Sequence, residues 1–108
     1  MVYSIEKIKE IIKPIAMKYG LPAVYLFGSY ARGEACEDSD IDFLVDTTGT
    51  DLTSLLKLGA LYCDLEEAFG KEIDLVTVRA IMQEPVMPSD EDFRKTVMAE
   101  RISLYDVA

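Results

Sequence analysis

The sequence predicts an α/β fold in the α+β sense: one small mixed β-sheet with helices packed on it. Three observations carry this. Short, largely apolar runs at 23–27, 41–45 and 72–78 have the length of strands. Longer stretches around them place apolar residues at helical spacing. Glycines at 20, 33 and 70 mark the joins.

The elements follow in order. Ile5, Ile8, Ile11, Ile12 and Ile15 recur at helical spacing, with Glu6, Lys7, Lys9, Glu10 and Lys13 opposite them. This is an amphipathic helix, with a bend expected at Pro14 and an exit at Gly20 and Pro22. Ala23 to Phe27 reads as a strand covered on both faces. Gly28 and Ser29 open a tight turn, and Ser29 to Arg32 a short helix stopped by Gly33. A polar, acidic loop from Glu34 to Ser39 leads to a second strand, Ile41 to Val45.

Asp51 is expected to begin a second long helix with the stripe Leu52, Leu55, Leu56, Gly59, Tyr62 and Leu65, ended by Gly70. Glu72 to Val78 reads as a third strand, with Ile73, Leu75 and Thr77 on one side and Asp74, Val76 and Val78 on the other. Pro85 and Pro88 bracket a loop. Ser89 and Asp92 are spaced as a capping box. The last helix is expected from about Asp90, with Phe93, Val97, Met98, Ile102 and Tyr105 as its stripe. No repeat, low-complexity tract or linker interrupts residues 1–108, read as a single domain.

Half the residues are apolar, so a packed core is expected. The chain has 11 Lys plus Arg against 20 Asp plus Glu, a formal charge of -9. That balance argues against an extended grip on nucleic acid, whose affinity depends on neutralising phosphates. It leaves room for one nucleotide held through a metal. Cys36 and Cys63 are too few for a disulfide framework or a zinc site and read as reduced thiols. No signal peptide and no run long enough to span a membrane is present, so a cytoplasmic protein is expected. The absence of histidine removes imidazole as base, ligand or nucleophile.

Two short motifs carry chemistry. Gly28 lacks a Cβ, so a phosphate group can approach the backbone. Ser29 adds a hydroxyl and an N–H at the start of a helical turn, where an anion is favoured. Taken alone, a Gly-Ser pair is a common turn. Asp40 and Asp42 lie two apart, so on a strand they share a face, together with Leu44. Carboxylates ~5 Å apart repel by about 3 kcal/mol at an effective dielectric of about 20, and a divalent cation removes that repulsion. An all-oxygen set suits Mg²⁺ or Mn²⁺. A bare Asp-x-Asp is otherwise a solvated strand end. Asp74 is charged within an apolar strand, where a buried carboxylate needs a partner. If its strand lies beside that of Asp42, a third carboxylate joins the pair and the sheet is mixed. A salt bridge or an exposed strand end are the other readings, and Glu72 is the rival third acid.

Gly28-Ser29, ten residues, then Asp40-x-Asp42, with a strand-borne Asp74 after a helix, resembles the signature of nucleotidyltransferases related to DNA polymerase beta. The fuller strings Gly28-Ser29-Tyr30-Ala31-Arg32-Gly33-Glu34-Ala35 and Ser39-Asp40-Ile41-Asp42-Phe43-Leu44-Val45 look like its minimal branch, the MNT or MntA-type proteins. The resemblance covers nearly the whole chain, including a closing helix through Tyr105. It implies that Gly28 and Ser29 hold the β- and γ-phosphates, that Asp40 and Asp42 bind two Mg²⁺ ions (Mn²⁺ being an alternative), and that Asp74 shares the ion near the attacking group. Arg32 is a candidate phosphate contact, with a salt bridge to the acidic loop as the equal alternative. Arg79 is a candidate for neutralising pyrophosphate, although a solvent-facing strand end is the plainer reading. Tyr25 and Tyr30 read as packing rather than base stacking, and Met82, Met87 and Met98 as core or interface filler.

The resemblance also implies ATP as substrate and a HEPN-type toxin as partner. AMP would pass to a tyrosine hydroxyl of that toxin, making this chain the antitoxin of a two-gene module. No domain that grips a nucleic-acid acceptor is visible in the sequence. Two alternatives stand beside this one: an antitoxin that neutralises by binding alone, and nucleotidyl transfer to a small molecule such as an aminoglycoside. The mean hydropathy of +0.12 suggests apolar contacts in a homo- or hetero-oligomer.

Overall fold

The computed structural model describes residues 2–83 and 87–107; Pro85 and its part of the expected loop lie outside them. The first helix, α1 (Ile5–Tyr19), begins where the Ser4 hydroxyl accepts the Lys7 N–H at 3.1 Å, and it ends at Gly20 in the left-handed region. It runs through Pro14 as one element and buries Ile8, Ile12 and Ala16 along one stripe.

Strand β1 (Ala23–Phe27) leads directly into a five-residue helix, α2 (Gly28–Arg32), stopped by Gly33. Strand β2 (Ile41–Asp46) returns antiparallel to β1. The next helix, α3, spans Leu55–Phe69 rather than starting at Asp51. The polar run before it is held in local turns: Thr53 N–H donates to the Asp51 carbonyl and Leu52 N–H to the Thr50 hydroxyl. Ser54 then caps the helix by accepting from Lys57 N–H. This later start changes the stripe. Leu61, Leu65 and Phe69 are buried with Leu58 and Tyr62 beside them, whereas Leu55 and Leu56 are each 87% exposed.

Strand β3 (Ile73–Thr77) pairs in parallel with β2. Val78 belongs not to that strand but to a one-turn helix, α4 (Val78–Ile81), capped by the Thr77 hydroxyl. Helix α5 (Pro88–Glu100) starts two residues before the expected Asp90. Pro88 fits the first helical position, and the Asp90 carboxylate accepts the Met87 N–H at 3.1 Å, so the cap pairs Met87 with Asp90 and not Ser89 with Asp92.

The closing segment is the main correction. Ile102–Asp106 forms a fourth strand, β4, antiparallel to β1, and does not continue the helix. Arg101 leaves helical dihedrals (φ −57°, ψ 141°), and β1 offers an unpaired edge for the residues that follow. The sheet order is β3-β2-β1-β4, mixed as expected.

Alternation along the strands divides the core. Ile41, Phe43 and Val45 of β2 join Val24 and Leu26 of β1 under α1 and α3. Phe43 is fully buried with its ring 5.4 Å from that of Phe69. The opposite face carries a smaller cluster of Phe27, Leu44 and Val97, which seats α5. Of the residues expected on the α5 stripe only Val97 is buried within the helix, and Met82 and Met87 are exposed rather than core. Among the described residues no helix is long and apolar enough to cross a membrane.

Candidate active site

The two motifs meet because β1 and β2 are antiparallel neighbours. Phe27, the last residue of β1, pairs with Asp42, so the turn at Gly28 lies over the start of β2. Gly28 has φ +74°, a conformation that favours glycine. A Cβ built there would come 2.0 Å from Asp42 Oδ2, so the carboxylate occupies the space that glycine leaves open. Phe27 caps α2 with no side-chain hydrogen bond, leaving the first N–H groups of the turn free of a capping side chain.

These groups line a cleft of about 410 Å³ that also takes in Asp40, Arg32 and, from α5, Phe93, Thr96 and Glu100. Asp42 stands on the face of Leu44, as its spacing predicts, with Leu44 fully buried. Asp40 sits in the approach to β2 and not on the strand itself. Asp74 is directly opposite Asp42 in the parallel register of β2 and β3, and it is exposed.

Electrostatics link the three aspartates. Burial raises the Asp42 carboxyl from 3.8 to about 6, with the charges of Asp74 and then Asp40 adding to the shift and Arg32 opposing it. The donor set is all oxygen and its mutual repulsion favours a bound cation, so it fits Mg²⁺ or Mn²⁺. Among the described residues no three His, Cys, Asp or Glu side chains gather closely enough to enclose a metal on their own. A Mg²⁺ site that shares its coordination with phosphate oxygens and water has no need of such a cage.

Arg32 lines the cleft but is engaged. Its Nε donates to Glu34 at 2.6 Å and its Nη1 to Glu100 at 3.1 Å, so the salt bridge foreseen with the acidic loop is present and extends to α5. Lys71 secures the same loop from below, donating to the Tyr30 hydroxyl at 3.1 Å and to the Glu37 carbonyl at 3.3 Å. Tyr30 is buried, in keeping with its reading as packing. Tyr25 is half-buried beneath Arg101, whose guanidinium lies 4.6 Å from the ring centre. Arg79 lies away from the Gly28-Ser29 turn, in a separate cleft with Thr47, Thr50 and Thr53 near the far end of β2. Cys36 is exposed, and a hydrogen bond from Ser39 lowers its thiol below the usual range.

The sequence reading missed Phe93, Thr96, Glu100 and Lys71. Phe93 is 46% exposed and meets the Phe27 ring edge-on, with centroids 6.1 Å apart. The available signal was Glu100, seven residues after Phe93 on the stripe that buries Val97: a charge on an apolar helix face.

Known proteins resemble this chain in sequence and fold. The family model for polymerase beta nucleotidyltransferases matches residues 6–106. A protein of Methanocaldococcus jannaschii, named as a candidate protein adenylyltransferase, is 46% identical over 78 residues, 72% of this chain and 82% of that protein. The protein adenylyltransferase MntA of Thermococcus cleftensis is 42% identical over 77 residues, 68% of this chain and 76% of its own length. Among solved structures, a toxin–antitoxin crystallised with AMP-PNP superposes with a TM-score of 0.70 at 23% identity, covering 92% of this chain and 73% of that one, a likeness of fold.

Proposed function

The chain belongs to the polymerase beta family of nucleotidyltransferases, and on that premise we propose that it transfers AMP from ATP to a tyrosine hydroxyl of a HEPN-type toxin and so acts as its antitoxin. The observation that carries this is the pairing of Gly28 with Asp42: a phosphate turn packed directly on a carboxylate that two further aspartates crowd. The adenylyltransferase relatives support AMP as the transferred group. The shared fold of the AMP-PNP toxin–antitoxin structure supports the partner class.

In this reading the N–H groups at Gly28 and Ser29, which no side chain caps, hold the β- and γ-phosphates. Asp40, Asp42 and Asp74 hold two divalent cations, which when bound stabilise the departing pyrophosphate and acidify the acceptor hydroxyl. Phe93 closes the α5 side of the cleft against the base. Asp74, on the open side, orients the acceptor. The acceptor oxygen bonds to the α-phosphorus, the α–β bridge breaks, pyrophosphate leaves, and the hydroxyl proton passes by way of Asp74 to water.

The test is incubation with ATP, Mg²⁺ and the product of the adjacent gene, read by intact mass. Added adenylyl groups are expected. An unmodified partner, under conditions where the two proteins bind, refutes the proposal. The double variant Asp40→Asn with Asp42→Asn separates catalysis from masking: if it still protects cells from the partner, binding alone neutralises.

A further inference from the structure

Strand β3 ends the sheet, and among the described residues nothing pairs with its outer edge. The Ile41 N–H donates to the Glu72 carbonyl, and backbone direction alternates along a strand. Asp74 and Val76 therefore turn their backbone groups toward β2, while Ile73, Leu75 and Thr77 present theirs outward. Beside this edge runs a groove of about 260 Å³ lined by Leu55, Leu58, Gly59, Tyr62, Leu75 and Thr77. Leu55, one of the lining residues, is 87% exposed, and among the described residues it belongs to neither apolar core cluster.

The rim is negative. The Tyr62 phenol is raised by burial first, then by Glu66 beside it, with Glu72 and Asp74 adding to the effect. The nearby cation Lys57 is turned to Asp51. A second copy of this chain, itself at -9, would bring two such rims together. A basic segment would be drawn in.

We propose that the outer edge of β3 docks the acceptor: an extended segment of a partner protein, flanked by basic residues, that adds to β3 as a further strand. Neighbouring strands lie about 4.8 Å apart and side chains alternate between faces. A hydroxyl-bearing residue placed beside Asp74 therefore sends both of its chain neighbours into the apolar groove. The acceptor motif is thus a hydroxyl residue between two apolar ones. This rests on reading Asp74 as the carboxylate nearest the acceptor.

The probe is a synthetic peptide with a central tyrosine between two leucines and lysines at both ends, added at millimolar concentration to the full chain with Mg²⁺ and AMP-PNP. Hydrogen exchange at the amides of Leu75 and Thr77 is expected to slow at least tenfold. The same peptide with glutamates in place of lysines should give no slowing. Leu55→Lys should abolish the protection, whereas Leu56→Lys, the same change just outside the groove, should preserve it; both sites are exposed, so both variants should fold. Unchanged exchange at β3 with the lysine peptide overturns the proposal, as does protection that survives Leu55→Lys. Protection without AMP transfer from ATP leaves the docking edge standing and removes the catalytic reading instead.

Discussion

Gly28 and Asp42 share one space: a Cβ on the former would sit 2.0 Å from Oδ2 of the latter. The Gly28 turn and the Asp42 carboxylate are therefore a single packed unit, and each constrains the other. Gly28→Ala should cost about 1–2 kcal/mol from the left-handed backbone alone. Because Asp42 Oδ2 ends a rotatable side chain, it would swing aside and take the ligand out of position. Transfer activity should fall about a hundredfold, with a melting-temperature loss too small to account for it.

Asp42 should trade stability for function. Its carboxyl is raised from 3.8 to about 6 on folding, so between those values the folded chain holds a proton that the unfolded chain has lost. Stability from this group is full below pH 3.8 and declines as pH rises through 6. Without metal, Asp42→Asn should melt higher than the parent at pH 7 and nearly equal to it at pH 3.5, and it should be inactive. Mg²⁺ should raise the melting temperature of the parent alone. Scanning calorimetry at the two pH values checks both points.

Metal affinity should carry the same signature. Mg²⁺ requires the ionised carboxylate, so below about pH 6 binding should weaken toward tenfold per pH unit and release protons. Titration calorimetry in buffers of different ionisation enthalpy measures that release.

Arg32 is held by Glu34 and Glu100, and water screens exposed pairs of this kind, so they add little to stability. Arg32→Ala should leave the melting temperature nearly unchanged and raise the KM for ATP. Glu100→Gln should free the guanidinium and lower that KM. Equal KM values in all three proteins would remove Arg32 from nucleotide binding.

Lys71 should act at a distance from the cleft. It joins the Tyr30 hydroxyl to the Glu37 carbonyl and so fixes the loop that delivers Asp40. Lys71→Met should cost about 1 kcal/mol and weaken Mg²⁺ binding. Tyr30→Phe should retain most of that binding, because the bond to the loop carbonyl remains.

Much of this was legible locally. The spacing of Ile8 and Ile12, the Ser4 cap and the stop at Gly20 define α1 without reference to anything distant. Gly28, Ser29, Asp40 and Asp42 are separated by a fixed span, and adjacent antiparallel strands bring them together. The misreadings have one physical cause. Ile102 to Asp106 can extend a helical stripe or alternate as a strand, and only the open edge of β1 selects the strand. Leu55 and Leu56 look like core until Ser54 sets where the helix begins and so which way it faces.

The sequence by itself determined the first three strands, the helix α1 and the spacing that sets the Gly28-Ser29 turn beside Asp42, because those depend on residue type and short spacing. Tertiary structure alone decided that Asp74 registers with Asp42, that Phe93 and Glu100 of α5 wall the cleft, and that β3 is left as the open edge. Those outcomes depend on which strands pair and which helix faces them, a choice settled by burial across the whole core.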